Sequence, residues 1–225
     1  MFLLIISFIV AMALVLVAMP KVIPYLHKLK FGQVEREEGL ASHKKKGGTP
    51  TMGGIVFIIA CVIAAYVCHY QNVTNPYVNL LTFALVGFGI IGFIDDFLIV
   101  VQHSNKGLKP SYKYGLQSVV AIAFYLLAKA YLPNFSTEII IPIAHVSVDL
   151  GWFYPVFVYF MFTAESNAVN LTDGLDGLAT GLMIIALTPF VAFAALSKNL
   201  EAAAFGAALM GGLAGFLVFN AHPAN

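Results

Sequence analysis

Seven apolar runs of about twenty residues limit what this chain can fold into. They lie near 2–24, 53–70, 79–101, 114–132, 152–169, 177–197 and 201–219. An α-helix rises 1.5 Å per residue, so each run is long enough to cross roughly 30 Å of hydrocarbon. The chain is 60% hydrophobic and only 10% charged, which a water-soluble domain cannot accommodate. The sequence predicts an all-α polytopic membrane protein, with about seven transmembrane helices in a single transmembrane domain over residues 1–225.

The charge and cysteine content exclude several other classes of protein. A net charge of +1 lacks the basic surface of a nucleic-acid-binding protein, so no nucleic-acid partner is expected. Cys61 and Cys68 lie in one apolar run, where packing is a better explanation than a disulfide or a metal site. No basic residue precedes the first run and no small-residue cleavage motif follows it, so we interpret it as a retained span rather than a signal peptide.

Positive charge is concentrated in two loops. Ten of the twelve lysines and arginines lie in or beside them: Lys21, Lys28, Lys30, Arg36, Lys44, Lys45, Lys46, Lys106, Lys109 and Lys113. Loops rich in lysine and arginine remain on the cytoplasmic side of a membrane. The N-terminus is then external. The predicted cytoplasmic segments are 25–52, 102–113, 170–176 and 220–225.

A short external segment between the fourth and fifth runs has a different pattern. The sequence IIIPIAHVSVDLGWF contains β-branched stretches on either side of turn-forming residues, which predicts a small β-hairpin near 138–150. Tyr131, Trp152 and Tyr154 flank it, as expected for aromatic residues at a membrane interface. We expect this hairpin to lie on the membrane surface.

Two adjacent carboxylates, Asp95 and Asp96, occur near the cytoplasmic end of the third run in the sequence GFIDDF. Ionisable groups at membrane depth are unfavourable, and four more apolar residues follow before the loop, which favours function over a simple interface marker. Such a pair can bind a divalent cation, or one member can act as base or nucleophile while the other is held by a metal or a lysine. Neighbours on a helix point about 100° apart, so one role each is expected.

A second polar constellation occurs in NAVNLTDGLDGLATG between the fifth and sixth runs. Asn170, Asp173 and Asp176 recur every three residues, and a glycine follows each aspartate. This spacing predicts polar groups on one helical face, in a re-entrant or cavity-lining segment that glycine lets a ligand approach. A plain loop with helix-capping side chains is the alternative.

Two basic segments are predicted on the same membrane face. SHKKKGGTPTMGG at 42–54 combines lysine with a glycine-rich turn that offers backbone amides to phosphate, and KGLKPSYKYGLQ at 106–117 adds Lys109 and Lys113. Some of these lysines can be simple membrane anchors. Acids, amides and cations together suit a metal-assisted reaction between a charged nucleotide and a phosphorylated lipid. Mg²⁺ is the expected cofactor because all candidate ligands are oxygens.

Five motifs together resemble those of the polyprenyl-phosphate N-acetylhexosamine-1-phosphate transferases. They are SHKKKGGTPTMGG, GFIDDF, KGLKP, NAVNLTDGLDGLATG and GFLVFNAHPAN, and the resemblance runs from about residue 20 to the last residue. It implies transfer of a sugar phosphate from a UDP-sugar to undecaprenyl phosphate, with release of UMP and a requirement for Mg²⁺. The best match is the branch that uses UDP-MurNAc-pentapeptide and makes lipid I for peptidoglycan. A homodimer in the bacterial plasma membrane, with a cytoplasmic active site, is also implied.

The resemblance assigns roles to individual residues. Asp95 and Asp96 match the catalytic acidic pair and the metal ligands, Asp173 is placed among the catalytic residues, and a further metal-binding Asp is expected beyond residue 225. The nucleotide- and substrate-binding positions implied by the motifs are Lys46, Thr51, Lys113, Asn170, Asp176 and Asn220.

This chain departs from the family pattern in two ways. The family usually has about ten spans of ordinary length, with a further Asp and a His-rich loop after FNAHPA, so the chain resembles the first seven spans of a longer enzyme. Ile99 stands where some relatives have lysine. Three alternatives remain open: a sibling transferase for UDP-N-acetylglucosamine, a secondary transporter, and an inactive truncated fragment. The sequence does not distinguish direct transfer from a route through a covalent intermediate.

Overall fold

The computed structural model describes residues 2–28, 52–102, 107–141, 144–222 and 224. Within these ranges each predicted apolar run corresponds to one helix, and the predicted hairpin is present. The elements are α1 (Phe2–Lys28), α2 (Gly54–Cys68), α3 (Pro76–Val101), α4 (Pro110–Tyr131), β1 (Glu138–Ile141), β2 (Val146–Asp149), α5 (Tyr154–Thr172), α6 (Leu178–Leu196) and α7 (Leu200–Asn220). Short 3-10 turns precede α3 and α5.

The helices have the character of a polytopic membrane protein, as predicted. In the described part of the chain, five helices are long and apolar enough to span a bilayer: α1, α3, α4, α6 and α7. The apolar α2 has only 15 residues. The C-terminal half of α5 contains the polar sequence ESNAVN, which lowers its hydropathy. The all-α membrane fold is therefore confirmed, with α2 shorter and α5 more polar than a typical span.

Local sequence explains where several helices begin. The side chain of Asn75 accepts hydrogen bonds from the backbone N–H groups of Tyr77 and Val78, and Pro76 occupies the first position of α3. Asn199 caps α7 in the same way by accepting from the N–H of Ala202. These caps satisfy N–H groups that have no partner inside the helix.

Small residues bring α7 against α1 and α2. Gly211 and Gly215, four residues apart in α7, face α1. A Cβ atom at Gly211 would overlap the backbone carbonyl of Phe8, and one at Gly215 would lie 2.9 Å from the carbonyl oxygen of Met12. This GxxxG arrangement permits the close backbone approach on which helix pairs in membranes depend. The α1–α7 pair consequently forms the most extensive helix contact in the described chain.

Two buried clusters fill the space around α1, α2 and α7. One consists of Ala11, Cys61, Ala64, Ala65, Val78, Phe205 and Ala208. The other consists of Val15, Met19, Val56 and Ala60, with Phe57 and Phe216 packed against it. Cys61 is fully buried and unpaired, in agreement with a packing role.

The helices α3, α4 and α5 pack in sequence beside this group. Phe162 of α5 connects all three, because its ring lies 5.4 Å from that of Phe88 in α3 and 4.8 Å from that of Phe124 in α4. The α3 helix also contacts α2 and α7, which joins the two groups. The C-terminal ends of α3 and α5 and the N-terminal end of α4 therefore meet at one end of the bundle.

The hairpin is antiparallel, and Ile139 pairs with Val148 in its register. Alternation along the strands gives one face only apolar side chains, those of Ile139, Ile141, Val146 and Val148. The strand ends are fixed by Asp149, which accepts hydrogen bonds from the Thr137 hydroxyl and the Gly151 N–H. These bonds hold the pKa of Asp149 below its usual value, the Thr137 bond contributing most.

Candidate active site

Lys113 connects three helices at one end of the bundle. Its Nζ atom lies 2.9 Å from Oδ2 of Asp95 in α3 and 3.3 Å from Oδ1 of Asn170 in the last turn of α5. Lys113 itself lies in the first turn of α4. Both members of the ion pair are largely shielded, with side-chain exposures of 17% for Lys113 and 16% for Asp95. The three residues converge as the sequence predicted, although they are up to 75 positions apart.

The loop before α4 closes over the other oxygen of Asp95. The backbone N–H of Leu108 donates to Oδ1 of Asp95 at 2.7 Å. Gly107 lies so near that a Cβ atom there would overlap Oδ1 and lie 3.2 Å from the Asp95 carbonyl oxygen. Both carboxylate oxygens of Asp95 are therefore engaged, one by a backbone amide and the other by the ammonium of Lys113.

Asp96 has different surroundings from its neighbour. Among the described residues, Asp95, Asp173 and Lys113 carry the charges that act on it. Asp173 follows the last residue of α5, where its backbone N–H donates to the carbonyl of Val169. The two members of the acidic pair therefore have different partners. Asp95 is bound to Lys113 of α4, whereas Asp96 experiences the negative charge of Asp173 at the end of α5.

The segment 170–177 is not one continuous helical face, and that expectation is wrong. The α5 helix ends at Thr172, a turn follows, and α6 begins at Leu178 after Gly177, whose φ of +73° favours glycine. Asp173 is consequently near Asp96, whereas Oδ2 of Asp176 accepts from Nδ1 of His222 at 3.0 Å. The break separates the two aspartates into two neighbouring environments.

Asn220 ties the end of α7 to the start of α6. Its Oδ1 accepts from the N–H of Gly177 at 3.1 Å and from the hydroxyl of Thr180 at 3.0 Å. This oxygen therefore satisfies donors in the first turn of α6, and substrate binding by Asn220 stays a prediction. Asn220 lies beside the acidic turn and fixes its position.

Some predicted residues cannot be placed. Lys46 and Thr51, with most of the basic glycine-rich segment 42–54, lie outside the described residues, so their convergence on this site stays a prediction. Lys109 directly precedes α4 and is exposed.

The family assignment follows from sequence comparison. The model of glycosyl transferase family 4 matches residues 78–225, which contain every described site residue named above. The chain belongs to glycosyl transferase family 4. The resemblance inferred from the motifs is therefore confirmed.

Curated relatives share most of this chain. A phospho-N-acetylmuramoyl-pentapeptide-transferase from Halalkalibacterium halodurans is 44% identical over 222 residues, 98% of this chain and 68% of that protein. The protein of the same name from Bacillus subtilis is 46% identical over 206 residues, 91% of this chain and 63% of that protein. The one from Listeria monocytogenes serovar 1/2a is 43% identical over 225 residues, 100% of this chain and 69% of that protein. The chain spans about two thirds of the length of these relatives.

The sequence interpretation missed polar residues that lie beside the candidate site. Gln117 in α4 is fully buried and hydrogen-bonded to Ser166 and Asn167 in α5. The available signal was helical spacing, since Gln117 is four residues after Lys113, and Ser166 is four before Asn170. The interpretation also did not single out His222, which contacts Asp176.

The described residues set a limit on metal binding. Among them, no group of three or more His, Cys, Asp and Glu side chains is arranged to hold a metal ion. Mg²⁺, however, often uses only one or two carboxylates and takes its other ligands from phosphates and water. Asp95 is poorly placed to be one of them, because both of its oxygens already accept hydrogen bonds.

Proposed function

We propose that this chain catalyses the transfer of phospho-N-acetylmuramoyl-pentapeptide from its UDP-linked precursor to undecaprenyl phosphate, giving lipid I and UMP in peptidoglycan synthesis. The observation that carries the proposal is the Lys113 ammonium, which contacts Asp95 and Asn170 and lies near Asp96 at the end of a membrane helix bundle. Relatives with this activity in their names are 43–46% identical to the chain, which supports the choice of substrate.

The site has the parts that phosphoryl transfer requires. Positioning and stabilisation of negative charge provide most of the catalysis in such reactions. Lys113 supplies a cation, and Asn170 supplies an amide at the same point. Asp95 orients Lys113 through the ion pair. Asp96 is then the carboxylate that takes the proton from the lipid phosphate or, in the covalent alternative, attacks the β-phosphate.

Mg²⁺ is part of this proposal. It would neutralise charge on the pyrophosphate, and Asp173 together with one carboxylate oxygen of Asp96 would hold it, which leaves the other oxygen of Asp96 to react. Asp173 would thereby serve the reaction without contacting the lipid.

The distribution of charge supports the orientation of the site. We place it on the cytoplasmic face of the bacterial plasma membrane, because Lys109 and Lys113 belong to the lysine-rich loops. A secondary transporter would hold its polar groups near the bilayer midplane. Lys113 and Asn170 instead lie in terminal turns of α4 and α5, which favours the transferase. The homodimer implied by the family is also retained, and light scattering in nanodiscs would measure it.

Turnover by the protein in nanodiscs tests this function. We expect UMP release from UDP-MurNAc-pentapeptide with undecaprenyl phosphate, dependence on Mg²⁺, and loss of release when a chelator is added. UDP-N-acetylglucosamine is the matched alternative nucleotide, and preferential turnover of it would assign the sibling activity. No release from either nucleotide, with correctly folded protein, would contradict the proposal.

A further inference from the structure

A fully buried amide lies directly behind the Lys113–Asn170 contact. Gln117 has no exposed surface. Its Nε2 donates to Oγ of Ser166 at 3.1 Å, and its Oε1 accepts from Nδ2 of Asn167 at 3.1 Å. Asn167 also donates to the carbonyl oxygen of Thr163 at 2.7 Å. These bonds form a polar seam between α4 and α5, between the Lys113–Asn170 contact and the apolar ring pair Phe124–Phe162.

The register of the two helices aligns this seam with the site. Gln117 is one helical turn after Lys113 on α4, and Ser166 is one turn before Asn170 on the antiparallel α5. Residues four apart on a helix lie on the same face, so the Gln117–Ser166 bond and the Lys113–Asn170 contact are successive contacts of one interface. Farther from the site, the ring pair Phe124–Phe162 continues it.

Hydrogen bonding restricts this interface more than apolar packing would. An apolar helix pair can rotate or slide with little change in burial, but a buried amide without a partner is strongly unfavourable. Both polar ends of Gln117 find partners on α5 in this register. A rotation of α4 that broke these bonds would also move Lys113 away from Asn170.

We propose that Gln117 is a positioning residue, which fixes the rotation of α4 against α5 so that the Lys113 ammonium reaches both Asp95 and Asn170. Gln117 is hydrogen-bonded to neither Asp95 nor Asn170, so it acts on them through Lys113. Its importance for turnover rests on the proposed function, but its effect on the geometry of Lys113 does not.

Chemical labelling of Lys113 measures that geometry without any turnover. Purified protein in nanodiscs is treated with an amine-reactive ester, and peptide mass spectrometry gives the ratio of labelling at Lys113 to that at exposed Lys109. The ion pair with Asp95 protects Lys113 in the unaltered protein. In Gln117→Leu, which keeps the side-chain volume but removes both bonds, we expect this ratio to rise severalfold.

Matched variants separate positioning from general damage. Ser118→Ala is the control, because the Ser118 hydroxyl donates only within its own helix, to the carbonyl of Tyr114. Ser166→Ala removes one hydrogen-bond partner of Gln117 and replaces Gln117→Leu in the experiment if that variant does not fold. We expect it to raise the labelling ratio as well. An unchanged ratio in the folded Gln117→Leu variant would overturn the proposal. If Ser166→Ala is used in its place, an unchanged ratio there would do the same. An equal rise in Ser118→Ala would also overturn it.

Turnover of the same variants then tests the link to the reaction. We expect Gln117→Leu to lower kcat about tenfold, with little change in KM for the nucleotide, because Lys113 stabilises charge that develops during transfer. An increased labelling ratio with unchanged kcat would retain the positioning role and reject the proposed function of Lys113. A chain that shows no turnover at all would contradict the transferase alone.

Discussion

At the scale of single residues, Asp95 and Asp96 differ in the groups that surround each carboxylate. Asp95 accepts from Leu108 and Lys113, whereas Asp96 lies in the field of Asp173. A group that already accepts two hydrogen bonds is poorly suited to take a proton. The geometry therefore favours Asp96 as the reacting carboxylate.

Substitution of the acidic pair tests this division. We expect Asp96→Asn to lower kcat about 10²–10⁴-fold, the usual contribution of a general base. Asp95→Asn retains an oxygen for the Leu108 N–H but loses the charge that holds Lys113, so turnover should also fall and Lys113 labelling should rise. Thermal unfolding in detergent should change little for Asp96→Asn, whereas Asp95→Asn should lower the melting temperature because it leaves the shielded Lys113 ammonium without its ion pair. Normal turnover by Asp96→Asn would remove this carboxylate from the reaction.

Gly107 provides a second test at this scale. A methyl group at this position would overlap Oδ1 of Asp95, so Gly107→Ala must displace the loop or the carboxylate. We expect kcat to fall about tenfold, which corresponds to a rise of roughly 1.4 kcal/mol in the activation free energy. Gly115→Ala is the matched control, because a Cβ atom there meets nothing within 4 Å. Equal activity of the two variants would show that the contact around Asp95 is unimportant.

The residues of the site were only partly predictable from sequence. Asp95, Lys113 and Asn170 were placed on one membrane face by counting lysines and alternating spans, and they do meet. Gln117 was missed because a single glutamine does not reveal its partners, which depend on the rotation of α4 against α5. The motif around Asn220 likewise does not show that its side-chain oxygen accepts from the Gly177 N–H at the start of α6.

At the scale of elements, the apolar runs predicted helix positions well. A helix satisfies its own backbone hydrogen bonds, so a long apolar run in a membrane has few other structures available. The turn at 173–177 was harder to predict, because spacing by three suits a helix and a capped loop equally. Gly177 decides the outcome, since its positive φ separates α5 from α6.

The hairpin offers a prediction that does not depend on activity. Trp152 is the only tryptophan, is 87% exposed and follows β2 closely. We expect lipids brominated near the glycerol to quench its fluorescence strongly, because aromatic residues of this kind favour the membrane interface. Ile141→Asp, on the apolar face of the hairpin, should weaken quenching, whereas Ile140→Asp on the opposite face should not. Quenching by aqueous acrylamide but not by lipid would place the hairpin in water.

The strand ends should respond to acid. Because the native pKa of Asp149 lies below its unfolded value, its stabilising contribution is complete above an unfolded value of about 3.9 and is lost as pH falls through the native value. We expect the emission of Trp152 to remain constant from neutral pH to about 4 and to change below it. Asp149→Asn should remove this transition. A transition of unaltered size in that variant would exclude Asp149 as its origin.

At the scale of the whole molecule, α1 and α7 form the most extensive helix contact in the described chain. Gly211→Ala would push a methyl group into the backbone of Phe8, so we expect destabilisation of roughly 1–3 kcal/mol, measured by thermal unfolding in detergent. Gly92→Ala in α3 meets nothing within 4 Å and should be neutral or slightly stabilising. Equal melting temperatures for the two variants would mean that this approach is looser than described.

The α1–α7 contact has a consequence for biosynthesis. The first span leaves the ribosome long before Leu200 is translated, a delay of roughly 10–40 s at ordinary elongation rates. During that interval the part of α1 around Phe8 and Met12 that later adjoins the α7 glycines must contact lipid or an insertion factor. Nascent chains arrested before α7 should therefore be vulnerable to membrane proteases, and the arrival of the last described helix would end that vulnerability.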